Sequence, residues 1–456
     1  MNEEGGRVFG ASTTRSRQGR DVPQENLLSQ ADRPRAMAVS PLEEVTYFSA
    51  YNSLIHQKEM LEDTVRMDAF HDAILENAEN FAGKVVLDVG CGTGVLALFA
   101  ANAGARKVYA VEATRAANLA RKLVAANKKE DVVTVIHSKV EEVELPEKVD
   151  VIVSEWMGES HVLGAHKSVS DRLCARLADQ CSLSLSLSLC LSFCGRARAR
   201  VTHHPPGHFL LRESMIDSVI FARDKFLKPD GAMYPSHAKM YMAPAFSRTH
   251  FENLEMETQE VTDKWNGILV SMREEYGVDL DALTQVHARE LEEQKLGTSE
   301  PVHLEPRELL GPRVCVKEIN MLSVTPEEVK FVRHNFEFDL LVPKRLRPGQ
   351  GEREPCLFNM FVGWFVVDFN GSPSNPSLFH VECGTGPYHG TTHWGQEGFF
   401  VHPPIEVTRF DKMEMSFSMT RKPELWRLYD VNVEFSAHSA STSQRLPKMS
   451  KHYNFE

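Results

Sequence analysis

One short run constrains the fold of this chain more than any other: Val85-Val86-Leu87-Asp88-Val89 followed by Gly90-Cys91-Gly92-Thr93-Gly94. An apolar run over 84–89 reads as a buried strand. Three glycines at alternate positions then make a turn that drops straight into an apolar helix over Val95–Ala103. A further strand over Val108–Val111 completes a βαβ unit, and Val132–Ile136 and Val149–Ser154 add two more, so the spacing predicts the front half of a doubly wound parallel sheet. Helical spacing precedes the sheet, at Tyr47, Phe48, Tyr51, Leu54 and Ile55 and then from Met60 through Arg66 to Leu75. After it, a helix over Glu213–Leu227 puts Ile216, Val219, Ile220, Phe226 and Leu227 on one face, with Pro229–Gly231 as its stop.

From Tyr234 onward the pattern changes to short β-rich runs, Phe331–Leu341, Phe358–Phe369 and Lys412–Thr420, which predict a second domain built as a barrel or sandwich. A polar, helical stretch from about His250 to Gln294 leaves that domain and rejoins it, as a docking arm would. The organisation expected is a disordered tail over 1–44, an α/β domain over 45–233 and a β domain over 234–456 carrying the arm at about 247–300.

Glycines where a strand meets a helix let a ligand approach bare backbone. Glu112 ends the next strand, about 20 residues on, where a carboxylate can hold both hydroxyls of a ribose. The two features indicate an adenosine cofactor rather than a simple tight turn. Spacing of the form G-x-G-x-G, with Asp88 before the first glycine, favours S-adenosyl-L-methionine over a nicotinamide dinucleotide, whose folds use G-x-G-x-x-G.

Charge and composition narrow the partners. A net charge of −12 argues against general nucleic-acid binding, which needs an excess of Lys and Arg, and suits basic partners. No run approaches the roughly 18 apolar residues that a membrane span requires. The start of the chain, with Glu3 and Glu4, lacks the apolar core of a secretory signal, so the setting expected is cytosolic or nuclear. Cys91, Cys315, Cys356 and Cys383 are scattered, while Cys174, Cys181, Cys190 and Cys194 crowd together in a pattern that is no disulfide framework.

Four segments in order, Tyr47-Phe48-Ser49-Ala50-Tyr51, Met60-Leu61-Glu62-Asp63-Thr64-Val65-Arg66, the glycine run with Glu112, and Ser154-Glu155-Trp156-Met157-Gly158, together with Thr392-His393-Trp394, resemble the protein arginine methyltransferases. Within them the chain is most similar to the plant protein arginine N-methyltransferase 10 group. The resemblance implies an S-adenosylmethionine-binding Rossmann-like domain followed by a β-barrel with a helical dimerisation arm, working as a homodimer.

It implies that Gln57 and Arg66 contact the cofactor's methionine part, with Arg66 on its carboxylate, that Met60, Asp88, Gly90, Gly92 and Gly94 also belong to the cofactor site, with Gly90 letting the backbone approach, that Glu112 binds the ribose, and that Val140 and Glu141 read the adenine. Glu155 and Glu213 would grip the acceptor guanidinium, while His393, paired with Asp63, would order the amino-terminal helix and accept a proton. Gln57 departs from the family, many of whose members carry histidine there. No metal site is implied.

Further implications are arginine-bearing protein substrates such as histone tails and Arg/Gly-rich proteins, mono- and asymmetric dimethylarginine as products because Met60 stands where symmetric-type members carry phenylalanine, and nuclear and cytoplasmic residence.

Relatives join the equivalents of Gly158 and Phe209 through one aromatic residue, whereas fifty residues, 159–208, fill that gap here. They include a Ser/Leu alternation over 182–189, Arg196-Ala197-Arg198-Ala199-Arg200 and His203-His204-Pro205-Pro206, and read as a foreign insertion. Its cysteine spacings match no common zinc pattern. Lengthening this connection costs about 1.7 kcal/mol of loop entropy, so the fold should survive. Catalysis, which needs both carboxylates within an ångström, is the more exposed, and the alternative expected is a catalytically impaired cofactor-binding or dimerisation isoform.

Overall fold

Residues 47–49, 51–158, 209–341, 356–408, 411–438 and 448–454 are described by a computed structural model. The expected tail, 1–44, and the insertion, 159–208, both lie outside the described residues.

Strand β1 (Val85–Val89) is buried at all five positions, because it is the centre of a parallel sheet and both its faces are covered. The sheet runs β3-β2-β1-β4-β5, with β2 at Lys107–Glu112, β3 at Val133–His137, β4 at Val149–Val153 and β5 at Leu227–Tyr234. The helices that pack on or precede it are α1 (Leu54–Glu62), α2 (Thr64–Leu75), α3 (Val95–Asn102), α4 (Ala117–Ala126) and α5 (Met215–Phe226). The α/β expectation is met.

Three local expectations are corrected. The run from Met60 to Leu75 is not one helix. Asp63 adopts an extended backbone, ends α1, and caps α2 by accepting the Arg66 N–H at 3.0 Å. The helix expected from Glu213 starts at Met215, because Glu213 and Ser214 both have positive φ, at 66° and 56°. Nor do Pro229–Gly231 stop a helix. They bulge within β5, whose pairing jumps from Val149 opposite Leu227 to Val151 opposite Ala232, and proline is tolerated because β5 is the sheet's edge.

The second domain consists of two antiparallel sheets. One runs β7-β14-β10-β6-β8 (Glu300–Val302, Gln396–Val407, Cys356–Asp368, His237–Ala245, Val314–Asn320), with β13 (Glu382–Gly384) pairing β10. The other runs β17-β16-β15-β9 (Met449–Asn454, Tyr429–His438, Lys412–Arg421, Phe331–Asp339). Aromatic side chains from both sheets fill the space between them. Phe358 and Phe361 of β10 meet Phe435 of β16 edge-on at 5.8 and 5.3 Å. A minor ribbon, β11 with β12, spans Gly371–Pro376.

The arm is a helical hairpin, α6 (Arg248–Tyr276) and α7 (Thr284–Leu296). Ser247 caps the start of α6, and Gly277, at φ 66°, ends it. Trp265 stacks on His287 at 4.4 Å and donates to Thr284 Oγ1, joining the two helices. No residue of α6 is buried, and Met256, Ile268, Val270 and Tyr276 are exposed on it.

Candidate active site

The glycine turn builds one wall of a cleft. Gly90, Gly92 and Gly94 all have positive φ (70°, 52° and 85°), conformations that a side chain would disfavour. A Cβ at Gly92 would also come within 2.7 Å of Gln57 Oε1 on α1, so the bare backbone is what leaves room there. Glu112, at the end of β2, accepts the Gly92 N–H at 2.9 Å and the Thr114 N–H at 2.7 Å. Two amides use only half of a carboxylate's acceptor capacity, and the remaining lone pairs suit a pair of ribose hydroxyls.

Asp88 is buried beneath the turn. Burial raises its carboxyl to about 7, against the opposing effect of the Ala97 backbone amide. Cys91 lines the cleft, but burial holds its thiol well above the ordinary value, so it is no nucleophile.

The facing wall comes from α1, α2 and the 47–51 segment, which contribute Tyr47, Tyr51, Gln57, Met60 and Arg66. Val140 and Glu141 close one end, on a single-turn helix where Glu141 accepts the Ser218 hydroxyl at 2.6 Å. The cleft encloses about 1120 Å³ of space between its walls, open solvent included.

Glu155 and Glu213 line the same cleft although 58 positions separate them. Glu155 follows β4, where the Ser154 hydroxyl is tied to the Val89 carbonyl at 2.8 Å. The Arg66 Nε and Nη2 both donate to Glu155 Oε2 at 3.1 Å, and both side chains are almost wholly buried. Glu213 Oε2 accepts the Tyr51 hydroxyl at 2.9 Å.

The two ends of the connection are stitched together. The Gly158 N–H donates to the Leu210 carbonyl at 3.1 Å, and a Cβ at Gly158 would run into the Arg212 carbonyl oxygen. Phe209 is fully buried, its ring against Gly363 and within 5.9 Å of both Phe399 and Phe417. The chain therefore enters and leaves 159–208 at one packed point.

Residues 238–440 match the family model described as the arginine methyltransferase oligomerization subdomain, and residues 72–161 the one described as ribosomal protein L11 methyltransferase. Protein arginine N-methyltransferase PRMT10 of Oryza sativa subsp. japonica is 40% identical over 400 residues, covering 87% of this chain and 89% of that one. The chain belongs to the protein arginine methyltransferase family. PRMT10 of Arabidopsis thaliana is 36% identical over 409 residues, 90% of this chain and 91% of that one. The crystal structure of Arabidopsis thaliana protein arginine methyltransferase 10, described as a uniquely open conformation, superimposes with a TM-score of 0.72 at 35% identity, covering 90% of this chain and 100% of that one.

In this arginine methyltransferase, most residues singled out from the sequence line the one cleft: Gln57, Met60, Arg66, Gly90, Gly92, Glu112, Val140, Glu141, Glu155 and Glu213. Four do not. Asp88 lies under the turn, and Gly94 caps α3 against Ala120. Asp63 and His393 lie off the cleft as a brace: Asp63 Oδ2 accepts the His393 backbone N–H at 2.9 Å and sits 2.5 Å from His393 Nδ1. This ties the α1–α2 junction to the 392–394 loop, whose Trp394 Nε1 donates to the Met157 carbonyl at 3.2 Å.

Burial alone would raise the Asp63 carboxyl. The hydrogen bonds from His393 and Arg66 more than offset it and hold it below the usual range. A depressed carboxylate stabilises the fold above its ordinary pKa and loses that contribution as pH falls through the lowered value. Asp63→Ala is therefore expected to cost about 2 kcal/mol at pH 7. The difference from the unmodified protein should shrink as pH falls below about 4, as urea titrations at pH 7 and pH 3 would measure.

Sequence reading missed four residues at the site. Tyr47 and Tyr51 were visible as an aromatic pair at helical spacing, without a role. Ser218 sits on α5 beside its apolar face. Arg427, which lines the cleft and lies over the Tyr47 ring at 3.6 Å, carries no sequence signal at all.

Proposed function

We propose that this chain transfers methyl groups from S-adenosyl-L-methionine to guanidinium nitrogens of arginine in proteins, histone tails and Arg/Gly-rich proteins among them, giving mono- and asymmetric dimethylarginine. The observation that carries the proposal is the convergence of Glu155 and Glu213 on the cleft that the glycine turn and Glu112 line. The cofactor, when bound, supplies an electrophilic methyl group. Arg66 would hold its carboxylate, the backbone at Gly90 and Gly92 its middle, Glu112 its ribose, and Val140 with Glu141 its adenine.

An arginine guanidinium stays protonated, with a pKa above about 12, so each nitrogen is a poor nucleophile. Two carboxylates gripping the planar fork draw positive charge toward some nitrogens and leave another richer in electron density. The Tyr51 hydroxyl holds one of those carboxylates in place. Binding and orientation supply much of the rate.

Met60, buried on α1 against the cleft, bears on the product. Its thin, flexible side chain leaves room for a nitrogen that already carries one methyl. Met60→Phe is expected to shift the product toward monomethylarginine, read by mass spectrometry of the modified peptide. The exposed apolar residues of α6 support assembly as a homodimer through the arm, and the net charge of −12 supports basic substrates.

The test is transfer of labelled methyl groups from S-adenosylmethionine to an Arg/Gly-rich histone-tail peptide, comparing this chain with one in which 159–208 is replaced by a single tyrosine. Comparable activity of both supports the reading. Activity of the shortened form alone makes this chain the impaired isoform, and activity of neither overturns the reading.

A further inference from the structure

Glu213 and Ser214 hold left-handed backbone conformations, which persist in residues with side chains only where the surroundings over-determine them. What holds them comes from the far end of the chain. In the turn between β15 and β16, the Arg427 carbonyl accepts the Glu213 N–H at 2.9 Å, while Arg427 Nη1 donates to the Glu213 carbonyl at 2.5 Å. The Ser214 hydroxyl donates to the Trp426 carbonyl at 2.9 Å, and Trp426 Nε1 donates to Asp217 Oδ2 at 3.0 Å.

The turn is itself anchored. Arg421 Nη1 donates to the same Asp217 oxygen at 2.6 Å, and its Nε and Nη2 donate to the Tyr429 hydroxyl at 3.0 and 2.8 Å. All of this lies in the second domain or on α5, so none of it passes through 159–208.

We propose that the β15–β16 turn, acting through Arg427, is a positioning clamp that sets the Glu213 carboxylate for the acceptor arginine. The proposal rests on the arginine methyltransferase reading. A residue whose N–H and C=O are both bound to one partner cannot rotate either flanking peptide plane without breaking a bond, so its side chain leaves the backbone in a set direction. The guanidinium that makes one of those bonds also covers the Tyr47 ring, joining the amino-terminal wall of the cleft to the acceptor residue. Arg427 touches the backbone of Glu213 rather than the reacting atoms in this account, which makes it a positioning residue.

The experiment measures kcat, acceptor KM and S-adenosylhomocysteine affinity for Arg427→Ala and Arg427→Lys, each alone and with Glu213→Gln, using labelled S-adenosylmethionine and an Arg/Gly-rich peptide. Arg427→Ala should lower kcat by about 100-fold, the cost of a carboxylate displaced by about an ångström, with cofactor affinity changed by less than about threefold. Arg427→Lys should recover part of that loss, since an ammonium can still reach the Glu213 carbonyl but cannot cover the ring as a plane. On top of Glu213→Gln, Arg427→Ala should cost less than about twofold more, because no acceptor carboxylate remains to position. An unchanged kcat, or an undiminished loss in the Glu213→Gln background, overturns the clamp.

Hydrogen exchange reads the clamp without turnover. The Ser214 amide, which shares its peptide plane with the Glu213 carbonyl that Arg427 Nη1 holds and donates to the Leu211 carbonyl at 3.3 Å, should exchange at least about tenfold faster in Arg427→Ala while β1 and β16 are unchanged, and equal exchange overturns the proposal. If Arg427→Ala does not fold, Arg427→Lys and Trp426→Phe carry the same comparison. Absence of methyl transfer by the unmodified chain would overturn the activity reading instead, and the exchange result would still decide the clamp.

Discussion

Glu213→Gln lowers methyl transfer by about 10²–10³-fold while S-adenosylhomocysteine affinity stays within about twofold. The substitution keeps shape and keeps an oxygen that accepts the Tyr51 hydroxyl, so the wall of the cleft stands. It removes one of the two negative charges that polarise the acceptor guanidinium, and that interaction grows as the reaction proceeds. The loss therefore appears in kcat more than in binding. Single-turnover transfer to an Arg/Gly-rich peptide, with calorimetry for the cofactor product, separates the two quantities. A full rate in the glutamine variant would mean that Glu155 alone biases the acceptor and that Glu213 only lines the cleft.

Arg66→Leu has the second large effect, on stability as well as on binding. Arg66 and Glu155 form a buried pair, with side-chain exposures of 7% and 10%, and Arg66 also donates to the Met60 carbonyl at 3.2 Å. Removing the cation leaves a carboxylate desolvated without its partner, which costs about 3 kcal/mol, the low end for a broken buried pair. Urea unfolding should register the loss. Adding Glu155→Gln to Arg66→Leu should restore much of it, because the uncompensated charge is then gone. Cofactor binding should stay weak in both variants, since neither carries a cation for the methionine carboxylate. Recovery of binding in the double variant would remove Arg66 from that role.

The two acceptor glutamates converge on one cleft although the insertion lies between them in sequence. Placing fifty residues between Gly158 and Phe209 suggested that the two acceptor glutamates lose the hairpin that fixes them. In the structure that hairpin is closed by other means: the Gly158–Leu210 hydrogen bond, the burial of Phe209, Leu210 and Leu211, and the β15–β16 turn on Glu213. These contacts bind the flanks of the connection, and the loop entropy that its length adds grows slowly.

Sequence by itself determined what short-range chemistry dictates. The βαβ pattern, the positive-φ glycines, Glu112 at the end of its strand and the polar helical arm all follow from periodicity and from the conformations that individual residue types allow. It missed the break at Asp63, the late start of α5 and the bulge at Pro229–Gly231. The break at Asp63 rests on a local cap that His393 only reinforces, whereas the other two depend on distant partners, the Arg427 backbone for Glu213 and the open edge beside β4 for the bulge. Only the tertiary structure decided that Glu155 meets Arg66 and that Arg427 grips Glu213 across 214 positions. The grip lands on the backbone N–H and C=O of Glu213, groups that every residue carries, so nothing in the Glu213 side chain announces it, and only the fold shows which distant arginine supplies the guanidinium.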